Sequence, residues 1–217
     1  MLFVQCAQQT AITGGEKDTD APIIDTLKLS SPLNQSTSFT AESITINFNE
    51  LVVLKNADKQ IIITPFLDKK PDIYTKGKKV IVDFKEPLNA NTTYIINFGD
   101  AIVDITEGNI FKNYKYVFST GSYIDSLTVN GFITDAESRT TDDFVSVMLY
   151  EVDSTLTDSI VFKERPKYIT NTLDSTSTFS LENLKAGKYM LIALKDENQD
   201  YKYDPKTDKI GFYNRYI

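Results

Sequence analysis

Apolar and polar residues alternate in short runs over most of the chain, with the period of two that sends successive side chains to opposite faces of a strand. Ile44-Thr45-Ile46-Asn47-Phe48 alternates strictly. Ile61-Ile62-Ile63-Thr64, Val80-Ile81-Val82-Asp83-Phe84, Thr93-Tyr94-Ile95-Ile96-Asn97-Phe98 and Tyr114-Lys115-Tyr116-Val117-Phe118 are β-branched or aromatic runs of strand length. Such side chains fit a pleated, half-buried surface, so these runs extend rather than coil. Turn formers separate them at Asn56-Ala57-Asp58, Lys76-Gly77-Lys78, Leu88-Asn89-Ala90-Asn91 and Glu107-Gly108-Asn109. No segment carries an amphipathic helical repeat of useful length. About seven short strands in roughly 100 residues predict an antiparallel sandwich.

Ser119-Thr120-Gly121-Ser122 closes this series, and a second one begins at Ile124. It runs through Leu127-Thr128-Val129-Asn130-Gly131-Phe132-Ile133, Val145-Ser146-Val147-Met148-Leu149-Tyr150, Tyr168-Ile169-Thr170, Thr178-Phe179-Ser180-Leu181 and Gly187-Lys188-Tyr189-Met190-Leu191-Ile192-Ala193-Leu194. The pattern predicts an all-β chain of two tandem antiparallel β-sandwiches, residues 21–122 and 123–217, meeting between Ser119 and Ser126. The short join predicts restricted interdomain motion. Before Pro22 the stretch from Thr10 is small, polar and glycine-containing, so residues 1–20 read as a leader remnant and flexible tether.

The first residues change the picture of where the chain works. Met1-Leu2-Phe3-Val4-Gln5-Cys6-Ala7 is apolar up to a cysteine, like the last part of a signal peptide that lacks its charged start. Cleavage before Cys6 would expose a thiol and an amine to acylation, and multiple acyl chains give stable membrane anchoring. Phe3 and Gln5 depart from the usual residues of a bacterial lipobox.

Composition narrows the chemistry. The net charge is −7, and Lys and Arg are scattered among acids without a basic patch, which disfavours nucleic acid. There is no His and one Cys, so Ser-His and Cys-His pairs and internal disulfides cannot form within the chain. No apolar run reaches the roughly 18 residues of a membrane-spanning helix.

Three segments remain as candidate sites. In the first, Asp196, Asn198 and Asp200 have the spacing of the first ligands of a calcium loop, with Asp204 at its ninth position and Asp208 near its end. Tyr201 stands where such a loop has Gly, and Thr207 where it has a bidentate Glu. The competing reading is a polar hairpin turn with Asx caps. In the second, Asp100, Asp104 and Glu107 cluster between two strands without a nucleophile or basic partner, which favours turn capping over acid–base work. In the third, Tyr201, Tyr203, Phe212, Tyr213 and Tyr216 offer either a platform for sugar or protein or a strand face that packs inward.

The first series resembles the SbsA-type bacterial Ig-like domain. The match lies in Ser31-Pro32-Leu33-Asn34, Ile46-Asn47-Phe48-Asn49-Glu50, Leu88-Asn89-Ala90-Asn91-Thr92-Thr93-Tyr94, Gly108-Asn109 and Phe118-Ser119-Thr120-Gly121. Cys6-Ala7 followed by Thr13-Gly14-Gly15-Glu16-Lys17-Asp18 is similar to the start of Bacteroidota envelope lipoproteins carrying this domain. Those proteins generally continue further, so additional sequence after Ile217 is expected. Gly131-Phe132-Ile133-Thr134-Asp135-Ala136 and the run from Phe179 to Tyr189 resemble the prealbumin-like sandwich of carboxypeptidase regulatory-like repeats.

These resemblances imply a non-catalytic, lipid-anchored envelope module at the outer membrane, on its periplasmic or surface face. It would need no cofactor, calcium in the 196–208 loop being the one candidate, and its partner would be an envelope protein or glycan. A carbohydrate-binding accessory module and the front part of a larger envelope enzyme are the alternatives.

Overall fold

The computed structural model describes residues 16–154, 156–172 and 176–217. Its described residues form strands joined by turns, with two helices of a single turn. Every strand pairing is antiparallel.

Eight strands precede residue 120: β1 Ser43–Asn47, β2 Val52–Leu54, β3 Ile62–Thr64, β4 Asp72–Thr75, β5 Lys79–Asp83, β6 Thr93–Asn97, β7 Ile102–Asp104 and β8 Lys115–Ser119. They pair in the orders β1-β5-β4, β3-β6-β8 and β2-β7. The registers Ile44↔Val82 and Ile46↔Val80 put the apolar alternates of β1 and β5 on one face. That face packs on Tyr94, Ile96, Tyr116 and Phe118 from β6 and β8 in one buried cluster. Tyr94 and Phe118 stack at 5.4 Å.

The residues that carried the family resemblance tie this core to its loops. Asn34 donates to the Lys115 carbonyl at 3.0 Å and accepts from the Val117 N–H at 2.7 Å, which fastens the leading segment along β8. The Tyr116 hydroxyl donates to the Pro32 carbonyl at 2.6 Å. The Asn89 N–H donates to the buried Tyr94 hydroxyl at 3.0 Å, so the turn before β6 closes on a core ring.

The second series comprises β9 Leu127–Phe132, β10 Ser146–Glu151, β11 Tyr168–Asn171, β12 Thr178–Leu184, β13 Tyr189–Lys195 and β14 Lys209–Phe212. They form a sheet in the order β11-β10-β13-β14 and a pair β12-β9, and no sheet mixes strands from the two series. β10 is apolar without alternation because both of its faces are covered. Val147 and Leu149 face Phe179, Leu181 and Leu184 of β12. Met148 and Tyr150 face Val161, Ile169, Ile192 and Leu194, together with Ile62 of β3.

The two series therefore meet in one of three buried clusters, to which the first contributes Ile62 and Phe66. Phe66, just past β3, packs against the Tyr201 ring at 5.2 Å. Lys115 of β8 pairs with Glu182 of β12 at 2.8 Å. Around the join, Thr93 donates to the Asp125 carboxylate at 2.8 Å, and Asn183 donates to the Asp125 carbonyl at 2.9 Å. These bonds tie the short join to strands of both series.

The sequence pattern missed three short strands and both one-turn helices. β2 and β7 are three residues each, and β4 is four. The helical turn α1, Ala57–Gln60, buries none of its residues, and α2, Ile160–Lys163, buries only Val161. All are too short for periodicity to register.

Candidate functional site

The acidic segment after β6 contains β7 rather than one continuous loop. Asp104 ends that strand and is 2% exposed. Its Oδ1 accepts the N–H groups of Thr106, Glu107 and Gly108 at 2.9, 2.7 and 3.0 Å, and Oδ2 accepts that of Asn109 at 2.7 Å. Gly108 takes φ 81°, a left-handed conformation that lets the loop wrap round one carboxylate. Burial pushes the Asp104 carboxyl up, but the four amides prevail and hold it below the usual range. Glu50 is raised by burial and by the charges of Asp104, Asp18 and Glu107. Asp104 is thus the anchor of a turn, in keeping with the capping expected of it.

The 196–208 loop joins β13 to β14. Asp196 accepts the N–H groups of Gln199 at 2.6 Å and Tyr201 at 2.7 Å. Asp200 caps the Lys202 N–H at 2.9 Å, and Asp204 caps that of Lys206 at 2.9 Å. Asp208 accepts the N–H groups of Glu197 at 3.2 Å and Asp204 at 2.8 Å. Asn198 is exposed. Tyr201 adopts φ 62°, the left-handed conformation that a calcium loop assigns to Gly. Its ring contact with Phe66 compensates for that backbone strain. Burial pushes the Asp196 carboxyl up, and the charges of Asp200 and Asp208 add to this against the two amides.

Among the described residues no group of three or more His, Cys, Asp or Glu is placed to hold a metal ion, and Asp196, Asp200, Asp204 and Asp208 form none. The spacing is present, while the hydrogen bonds are those of successive Asx turns.

The C-terminal aromatics divide. Tyr201 and Tyr203 pack inward, the latter on Phe162 at 5.3 Å. Phe212, Tyr213 and Tyr216 are exposed, with the Lys188 ammonium 4.3 Å above the Tyr216 ring. Cys6 lies outside the described residues.

The contact between the two series leaves openings that sequence reasoning did not find, because no local pattern encodes them. One is a cleft of about 160 Å³ with Ile61, Phe66, Leu67 and Tyr201 among its walls and Arg165 at its edge. Another is an open groove of about 470 Å³ where β6 and β8 approach β9, β11 and β12. Asn97, Asn113, Asn130 and Asn171 all line this groove.

Residues 18–120 match the bacterial Ig-like domain family, which covers the first strand series with the segment leading into it. A search of curated proteins returned no match. Among solved structures, the crystal structure of the N-terminal part of the bacterial S-layer protein SbsC aligns with 83% of this chain and 44% of that chain, at 12% identity and a TM-score of 0.25. The chain thus spans less than half of that chain's length, and a likeness at this level carries no argument about fold or function.

Proposed function

We propose that the chain is a non-catalytic module of a bacterial cell envelope that carries its loops outward to an envelope protein or glycan. The observation that carries this reading is the bacterial Ig-like match over residues 18–120. The hydrogen bonding of Asp104 supports it, since the most buried acid of the chain's acidic segment serves a turn. The core shared between β3 and β10 supports a stiff two-domain unit, divided as 21–122 and 123–217, rather than two beads on a string. In this reading the second domain is prealbumin-like, acylated Cys6 is the anchor at the outer membrane of a member of the Bacteroidota, and no cofactor is needed.

The test is fractionation of cells expressing the full reading frame. The native protein is expected in the membrane fraction, and Cys6→Ser in the soluble fraction. Retention of Cys6→Ser in the membrane would overturn the lipid anchor. Hydrolytic or transferase activity from this chain alone would overturn the non-catalytic reading.

A further inference from the structure

The β9-β12 pair turns one face to the core and the other, which carries Asn130, Thr178 and Ser180, to the groove. Val129, Phe179 and Leu181 point inward to the buried cluster. Alternation then sends Asn130, Phe132, Thr178 and Ser180 to the other side. The registers Ser180↔Asn130 and Thr178↔Phe132 align them in two adjacent rows. Across from them stand Asn97, at the end of β6, and Asn113, in the turn before β8. Asn171, at the end of β11, completes a set of four carboxamides drawn from both strand series.

Two of these amides are held in place from behind. Asn97 Oδ1 accepts the Gly99 N–H at 3.0 Å, and Asn171 Oδ1 accepts the Ser146 hydroxyl at 3.0 Å. Their NH₂ ends are thereby oriented as donors. Asn113 and Asn130 are exposed, and among the described residues their carboxamides make no hydrogen bond. Among the described residues, the one cation in the groove wall, Lys115, is already paired with Glu182. Phe132 lies in the same row as Asn130 and is 77% exposed, although the core has no use for an aromatic ring there.

We propose that this groove binds a neutral oligosaccharide. The inference rests on the envelope-module reading and names the partner of that module. A carboxamide carries two donors and an acceptor, which suits sugar hydroxyls that are themselves donors and acceptors. Neutralisation of Lys115 removes the charge that an acidic glycan would need. Phe132 stands beyond the groove wall, two residues along the strand from Asn130 and on the same face, where its exposed ring extends the site with a surface on which the C–H face of a pyranose can stack. A volume of about 470 Å³ lies within the size range of small-ligand sites. The groove intersperses side-chain amides and hydroxyls with apolar surface, a mixture that suits both the hydroxyls and the C–H faces of a sugar.

The test is a glycan array followed by calorimetry with gluco-, xylo-, manno- and galacto-oligosaccharides on the full chain. At least one neutral glycan is expected to bind. Asn130→Ala and Phe132→Ala, both on the exposed row, are expected to weaken that binding at least about tenfold each with melting temperatures unchanged. Asn113→Ala serves as a variant on the opposite wall with the same expected loss. The proposal is overturned if no neutral glycan binds, if acidic glycans bind in preference, if a protein partner alone occupies the groove, or if binding survives all three substitutions. Membrane fractionation of Cys6→Ser is blind to these outcomes, so loss of the glycan site and loss of the anchor are separable.

Discussion

The turn after β7 and the turn after β13 both begin with an aspartate at a strand end whose two carboxylate oxygens accept backbone N–H groups. Asp104 is nevertheless held below the usual carboxylate range and Asp196 above it. Burial raises both. Asp104 sets four amides against that rise, with Gly108 supplying the curvature that brings them together. Asp196 has two amides and faces the charges of Asp200 and Asp208. The number of donors a loop can aim at one carboxylate, more than the number of acids in it, decides whether that carboxylate favours the folded state as an anion.

The largest expected effect follows from that difference. Asp104→Ala strands four N–H groups at a buried strand end, and unsatisfied buried donors are costly. A fall in melting temperature of more than about 5 °C is expected. Asp196→Ala strands two N–H groups in a more open loop and should cost less than half as much. Thermal melts of both variants by circular dichroism check the order. Equal losses, or a larger loss for Asp196→Ala, would break the comparison.

Much of this contrast was legible in the sequence, and part was not. The alternation of Ile44, Ile46 and Phe48 marked β1 and its buried face, and the apolar run ending at Tyr150 marked β10. That run could not say that the strand is covered on both faces, nor that Ile62, from the other strand series, supplies part of the cover. Asp104 was legible as a cap because Gly108-Asn109 followed it, whereas its burial depended on β2 pairing with β7 in the register Val52↔Asp104. Tyr201 read as an obstacle to a left-handed turn, yet the chain adopts φ 62° there. The reason is a tertiary contact with Phe66, more than 130 residues earlier in the chain. The four carboxamides of the groove lie on separate strands and loops, so no sequence window holds them together.

A smaller effect appears in the pH dependence, where the two aspartates act with opposite sign. An unfolded Asp titrates near pH ~3.9. The folded pKa of Asp104 is lower, so its stabilising contribution is complete above the unfolded value. It is lost as pH falls through the folded one. Asp135, held at about 2 by the Ser138 and Glu137 amides, adds to the same acid loss. The folded pKa of Asp196 is higher, so the folded state takes up its proton first. Acidification through that window therefore favours folding. Urea midpoints across the acid range should show Asp104→Asn flattening the loss of stability at low pH. Asp196→Asn should make the fall begin at higher pH, because the compensating proton uptake is gone. Shifts in the same direction for both variants would contradict the assignment.

The smallest effect concerns calcium, and it sharpens the comparison from the side of Asp196. Repulsion among Asp196, Asp200 and Asp208 is the force a cation would relieve. A ligand at ten times its dissociation constant would stabilise the fold by about 1.4 kcal/mol, enough for a visible rise in melting temperature. Relief of repulsion requires the carboxylates to turn toward one point. Asp196 is instead fixed on Gln199 and Tyr201, Asp204 on Lys206, and Asp208 on Glu197 and Asp204. Gathering them would sacrifice those caps together with the Tyr201–Phe66 contact that holds the left-handed backbone. Millimolar calcium against a chelator is therefore expected to move the melting temperature by less than about 1 °C. A rise of several degrees, abolished by Asp196→Ala and by Asp200→Ala, would show that the loop rearranges around an ion. The spacing of Asp196, Asn198 and Asp200 would then outweigh the turn caps that hold them apart.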